Sequence, residues 1–133
     1  YDLSLEFNRY NPYVLNNYSY YLSLRKEKLA LAETMAKEAN NQVPDSPNFI
    51  DTYAWLLFLK GNYDEAETLL KKALSLSAIP NGTILEHFGD VLFKLNKIEQ
   101  AILSWQKAKE TGGASQLIEE KILKKHYIEP TIE

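Results

Sequence analysis

The sequence predicts an all-α fold, a short solenoid of stacked helix-turn-helix units. Three observations predict it. Residues 47–76 carry two apolar stripes at helical spacing, Ile50, Tyr53, Ala54 and Leu57 and then Tyr63, Ala66, Leu70 and Ala73, interrupted by Gly61-Asn62. The unit returns 35 residues later, where Ala54 falls on Gly89, Leu57 on Leu92, Gly61 on Asn96, Ala66 on Ala101, Leu70 on Trp105 and Ala73 on Ala108. It also returns upstream, with Ala54 on Ser19 and Leu57 on Leu22 at a shift of 35, and Ala66 and Ala73 on Ala32 and Ala39 at 34. Small residues stay small and large apolar residues stay large across three copies. A fixed period in the mid-thirties is the mark of a helical repeat array.

Each element has a local cause. Residues 1–11 read as the remnant of a preceding repeat, because Tyr1, Ser4, Leu5 and Phe7 match the end of a second repeat helix, followed by the turn-rich connector Asn8-Arg9-Tyr10-Asn11. Repeat one spans 12–45, with helices expected over 12–25 and 28–41. Pro12 suits a first helical position, where its missing N–H leaves no partner wanting. The one-residue difference in period falls in the turn at Lys26-Glu27-Lys28. Repeat two spans 46–80, with Ser46 as N-cap and Gly61 suited to the left-handed conformation that closes a helix. Repeat three spans 81–113, with Asn96 in place of Gly61. Gly112-Gly113 ends it. A capping helix is expected over 114–126, with Leu117, Ile118 and Ile122 to bury. Its Glu119, Glu120, Lys121, Lys124 and Lys125 suit a terminal cap with one face in water. Leu123 does not fit the stripe. Residues 127–133 read as a frayed tail with Pro130 opposing further helix.

These repeats resemble the tetratricopeptide repeat (TPR) family. The family's Trp position holds Leu15, Ile50 and Leu85; its Leu-Gly pair is Tyr18-Ser19, Tyr53-Ala54 and Phe88-Gly89. Its Tyr position holds Leu22, Leu57 and Leu92, and its Ala-x3-Phe pair is Ala32/Ala36, Ala66/Leu70 and Ala101/Trp105. The final Pro is clear only as Pro44. The resemblance implies a right-handed α-solenoid of about three TPR units with a C-terminal capping helix. Asp51-Thr52-Tyr53-Ala54-Trp55 and Glu86-His87-Phe88-Gly89-Asp90 are also similar to the C-terminal repeats of bacterial TPR proteins, lipid-anchored envelope ones included. That implies scaffolding at a cell envelope, with the cytoplasm as the alternative, and the chain is expected to be a fragment of a longer protein.

Composition narrows the function classes. The net charge of -3 is wrong for a nucleic-acid binder, which usually shows a basic stripe. There is no transmembrane run, so no direct membrane insertion by this stretch is expected. The absence of cysteine excludes disulfides and cysteine-based zinc sites.

The resemblance implies that the first helices of successive repeats line a concave groove. Four columns then cross it: Asn16, Asp51, Glu86; Asn17, Thr52, His87; Tyr20, Trp55, Asp90; and Ser23, Phe58, Phe93. Tyr20, Trp55, Phe58 and Phe93 offer rings, Asp51, Glu86 and Asp90 offer carboxylates, and Asn16, Asn17 and Thr52 offer hydrogen bonds. Such a set suits an extended peptide or partner helix, and the carboxylates favour a partner carrying Lys or Arg. Against this stands the bland reading: Trp55 and Phe58 pack on the neighbouring repeat, and Asp51 is an early-helix acid answering the helix dipole. One TPR subclass clamps C-terminal carboxylates with Lys, Asn and Arg; the corresponding Asn16, Tyr20, Thr52, Thr83 and His87 include neither Lys nor Arg, which rejects that reading.

Glu86, His87 and Asp90 form the one cluster that resembles a site. It lacks the imidazoles or oxygen cage a metal wants, and no nucleophile, phosphate loop or cofactor motif accompanies it. The expectation is therefore a non-catalytic protein–protein interaction scaffold with no metal and no cofactor. A homo-oligomerisation module, with the rings or residues 127–133 entering a neighbour's groove, is the second reading. An enzyme or ligand-binding regulator built on Glu86, His87 and Asp90 is the third. Trp105 is expected in the core against the cap.

Overall fold

The computed structural model describes residues 11–26, 28–79 and 81–130, and the helix remnant expected over residues 1–8 lies outside them. Seven helices follow one another in the described residues: α1 (Pro12–Arg25), α2 (Leu29–Gln42), α3 (Pro47–Leu59), α4 (Tyr63–Leu76), α5 (Gly82–Lys94), α6 (Ile98–Thr111) and α7 (Ile118–Lys124). They pack in sequence, α1 on α2, α3 on α4 and α5 on α6, with each pair docked on the next. The architecture is an all-α, solenoid-like stack of helical repeats. The first helices also touch one another, α1 with α3 and α3 with α5, whereas no contact of that extent joins α2 to α4 or α4 to α6. The face built by α1, α3 and α5 is therefore the inner, concave side.

The period is written into the backbone. Each first helix starts at a side-chain cap: Asn11 Oδ1 accepts from Tyr13 N at 2.7 Å, Ser46 Oγ from Phe49 N at 3.3 Å, and Asn81 Oδ1 from Ile84 N at 3.1 Å. These oxygens satisfy amides that the helix itself leaves without partners. The turn between the paired helices holds a left-handed residue at the same 35-residue step, Lys26 (φ 53°), Gly61 (φ 88°) and Asn96 (φ 65°). The first of these turns carries a second one, Lys28 at φ 47°. That turn absorbs the missing residue: α1, α3 and α5 start 35 apart, while α2 starts only 34 before α4. A left-handed lysine costs about 1–2 kcal/mol that glycine escapes, so this turn is the most strained of the three.

Small residues set how closely each helix pair approaches. Ala32, Ala36, Ala39, Ala54, Ala66, Ala73, Ala101 and Ala108 are fully buried between helices. Ile50, Leu57, Leu70 and Leu92 fill the space beside them, each contributing about 1.5–3 kcal/mol by leaving water. In repeat three the small position is Gly89 because the large one is Trp105. A Cβ on Gly89 would stand 2.4 Å from Trp105 Cδ1 and 2.5 Å from its Nε1. Trp105 is fully buried in the cluster that takes in Leu85, Leu92 and Ile118 of the cap, as its periodicity predicts.

The cap departs from expectation. Its helix covers only Ile118–Lys124, preceded by a turn at Ser115–Leu117. Ser115 is drawn out of the helix because its amide and hydroxyl both donate to Glu86. Ile118 is buried, and Leu123, the residue outside the stripe, faces solvent. Lys125 takes a left-handed conformation (φ 52°) that ends α7 and turns the chain back across the stack.

Candidate interaction groove

The register that defines the four columns places them on α1, α3 and α5, the concave face. Their availability differs from what the columns alone suggest. Asn16, Asp51, Thr52, Trp55, Phe58, Glu86 and Asp90 are buried, Tyr20, His87 and Phe93 are half-buried, and Asn17 is exposed. Trp55 and Phe58 stack with centroids 4.8 Å apart, and Trp55 stacks on the His87 ring at 4.2 Å. Phe93 lies between Trp105 at 6.1 Å and His126 at 4.5 Å. These rings join adjacent repeats rather than standing free in the groove, for the plain reason that large apolar rings are driven from water by the nearest surface they can reach.

The carboxylates are equally engaged. Lys121 of the cap, read from sequence as part of a solvated face, is 2% exposed. Its Nζ donates to Glu86 Oε2 at 2.7 Å and to Asp90 Oδ1 and Oδ2 at 2.9 and 3.1 Å. Trp105 Nε1 donates to Asp90 Oδ1 at 3.0 Å. His87 Nδ1 lies 2.8 Å from Asp51 Oδ1; the carboxylate can only accept, so that nitrogen carries the proton.

Two carboxylates share one ammonium, and their acidities separate. Burial raises the Glu86 pKa, but the charge and hydrogen bonds of Lys121 and the Ser115 donors outweigh it and hold it below its ordinary 4.5. Burial dominates at Asp90 and pushes it from 3.8 up to about 6, only partly offset by Lys121 and His87. Burial pulls His87 down, and the Asp51 charge and hydrogen bond more than reverse this, leaving it above 6.5. The cluster thus comes close to neutrality by leaving one proton in reach of Asp90 in mild acid. Every polar group of Glu86, His87 and Asp90 named here is committed to a neighbour that ties repeats two and three to the cap. The arrangement positions helices.

The end of the chain is not frayed through Pro130. Tyr127 crosses the concave face with its ring edge-on to Phe58 at 5.3 Å, and it packs against both the central cluster and the cap cluster. Lys94 Nζ and Lys121 Nζ lie 5.1 and 5.3 Å from its ring centroid, within cation–π range. Burial and the nearby charges of Asp90 and Glu129 push the Tyr127 hydroxyl pKa well above its ordinary value. Two residues on, Glu129 pairs with Lys26 in the first repeat's turn, 103 positions away in sequence. The hydrogen bond and charge of Lys26 hold Glu129 below the usual glutamate pKa. Residues 127–130 adopt no regular secondary structure. Two side chains, one ring and one carboxylate, thus anchor a strap running from the cap back to repeat one.

The strap leaves part of the concave face uncovered. A cleft of about 240 Å³ is lined by Asn16, Asn17, Tyr20, Asn48, Asp51, Thr52 and Thr83, toward the N-terminal ends of α1, α3 and α5. Asn16 Oδ1, on this lining, is buried without a hydrogen-bond partner among the described residues. Burial, then the charges of Asp51 and Glu86, raise the Tyr20 pKa, so its hydroxyl is a neutral donor here. Asn16, Asn17, Tyr20, Asp51 and Thr52 of the columns therefore meet in an open polar cleft, whereas Phe58 and Phe93 lie under or beside the returning chain.

Sequence reasoning missed Lys121, Ser115, Tyr127 and Lys26. A signal existed for Lys121: it shares the i, i+3, i+4 face of Ile118 and Ile122. No protein-family model matches the chain, and no curated protein is significantly similar to it.

Proposed function

We propose that this chain is a non-catalytic interaction module of tetratricopeptide type whose concave face docks an extended segment of a partner protein. The observation that carries this reading is the strap. An irregular stretch of chain already lies across α5, α3 and the α1 turn, fixed by one aromatic anchor and one ion pair. A surface that holds one such segment has the shape and anchors to hold another. Aromatic anchors seated in apolar recesses with a charged rim are the usual energetic centre of such contacts. The non-catalytic reading is supported by the pairing of Glu86, His87 and Asp90 with Lys121, Ser115, Trp105 and Asp51. Those carboxylates are consumed internally by Lys121, and Lys26 and Lys94 are cations that face the strap. The preference on this half of the groove is therefore for acidic rather than basic segments. The resemblance to bacterial envelope repeat proteins extends the proposal to scaffolding work in such an assembly.

A peptide-display selection tests it, run on the full chain carrying Tyr127→Ala and Glu129→Lys to loosen the strap. A consensus that enriches on this protein and is lost when Asn17→Ala and Phe58→Ala are added, with the helical circular-dichroism signal unchanged, supports a concave docking site. No enrichment over an unrelated helical protein contradicts it.

A further inference from the structure

The identity of the two anchors says what kind of segment the groove takes. This inference rests on the docking role proposed above. We infer that Tyr127-Ile128-Glu129 is an internal pseudo-ligand, and that the partner segment it stands in for carries an aromatic residue followed two positions later by a carboxylate. The recess for the ring is built rather than incidental. Phe58 supplies its apolar side and is itself packed on Tyr63, with centroids 5.5 Å apart. Lys94 and Lys121 place cations over the ring. Lys26 stands at the far end, and Glu129 is the group it holds. In an extended segment, residues two apart point the same way, at a spacing of about 6.5–7 Å. An aromatic–x–acid triplet therefore presents ring and carboxylate together to one surface.

The strap's own hold is light. Glu129 remains 64% exposed in its ion pair, and pairs of that kind contribute little. None of the strap's amides beyond His126 takes part in the backbone hydrogen bonds between described residues. To the ring anchor, tethering adds an effective concentration of about millimolar. A partner segment with the same two anchors, aided by further contacts in the open polar cleft, displaces it.

The probe is a fluorescein-labelled peptide of residues 125–133, followed by anisotropy. It is titrated against the full chain and against the full chain carrying Tyr127→Ala and Glu129→Lys. Binding at least tenfold tighter to the vacated variant is expected, because the parent's strap competes. Replacing the peptide's tyrosine by alanine is expected to weaken binding at least tenfold. Lys26→Glu in the vacated background is expected to weaken it about threefold or more, and a peptide carrying Glu129→Lys to recover that loss, a rescue that a merely structural role for Lys26 does not produce. Equal affinity for parent and vacated chains, or no binding to a vacated chain with an intact melting transition, overturns the inference. If the double variant does not fold, Glu129→Lys alone serves, since it alters only an exposed pair; unchanged peptide affinity there also overturns it. Light scattering adds one more arm: a parent dimer that Glu129→Lys dissociates assigns the strap to a second copy and overturns the partner reading. Failure here is separable from failure of the docking role. A display consensus lacking the aromatic–x–acid pattern sinks this inference alone, whereas no consensus at all sinks both.

Discussion

The two halves of the concave face solve the same packing problem in opposite ways. Toward the N-terminal ends of α1, α3 and α5, Asn16, Asn17, Tyr20 and Thr52 leave an open polar cleft. Toward their C-terminal ends, Phe58 and Phe93 lie beside Tyr127 and His126 of the returning chain. Polar side chains tolerate water at a concave surface; rings there do not, and the chain supplies its own cover. Beneath the covered half sits the charge cluster of Lys121, Glu86 and Asp90, and this is where stability concentrates. The difference teaches that the same helix face can be a support at one end and a free surface at the other. Substitutions should therefore separate sharply between the halves.

The largest effect is expected at Lys121. Lys121→Met leaves Glu86 and Asp90 buried beside each other with no cation, a loss of about 3–5 kcal/mol read by urea unfolding. A cost below about 1 kcal/mol would mean that the cap does not lock repeat three. Gly89→Ala follows, at about 1–3 kcal/mol, because the new methyl group collides with the packed Trp105 ring; loss of the native tryptophan fluorescence should accompany it.

The pH profile sharpens the same point. Asp90 binds its proton more tightly folded than unfolded, so its contribution falls as pH rises from 3.8 through about 6. His87 is also raised, so its contribution is complete below 6.5 and is lost as pH climbs past that value. Glu86 is lowered, so its contribution is complete above 4.5 and is lost as pH falls below it. Stability should therefore peak in mild acid and decline by about 2 kcal/mol toward pH ~8, measured as the melting temperature across buffers. Asp90→Asn should flatten the acid side of that decline, and an unchanged slope would remove Asp90 from the account. In the open half, Asn17→Ala and Tyr20→Phe should change stability by no more than about 0.5 kcal/mol, since the cleft carries little of the packing. One substitution is expected to stabilise: Lys28→Gly relieves a left-handed lysine and, after the entropy glycine loses on folding, should add about 0.5–1 kcal/mol.

Much of the fold was legible because a repeat states its message three times. The caps at Asn11, Ser46 and Asn81 and the left-handed turns at Lys26, Gly61 and Asn96 keep the 35-residue step. Periodicity also put the four columns on one face. It could not show which column residues stay available, since that depends on single pairings outside the repeat. Lys121 reaches Asp90 across 31 positions, and Glu129 reaches Lys26 across 103. Lys121 hid in a run of charges that resembles a solvated face, although two carboxylates four apart on a core-lined helix were already asking for a cation. The strap was hidden by Pro130, which forbids helix but not an extended path across a groove.

The central claim is that residues 127–130 lie across the chain's own concave face. These 133 residues contain no cysteine, so a Lys26→Cys/Glu129→Cys variant offers a clean pair for a short bismaleimide cross-linker. The account predicts rapid, concentration-independent cross-linking within single chains, abolished in urea and reduced by excess peptide of residues 125–133. Cross-linking only between chains, or none within a folded protein, would contradict it.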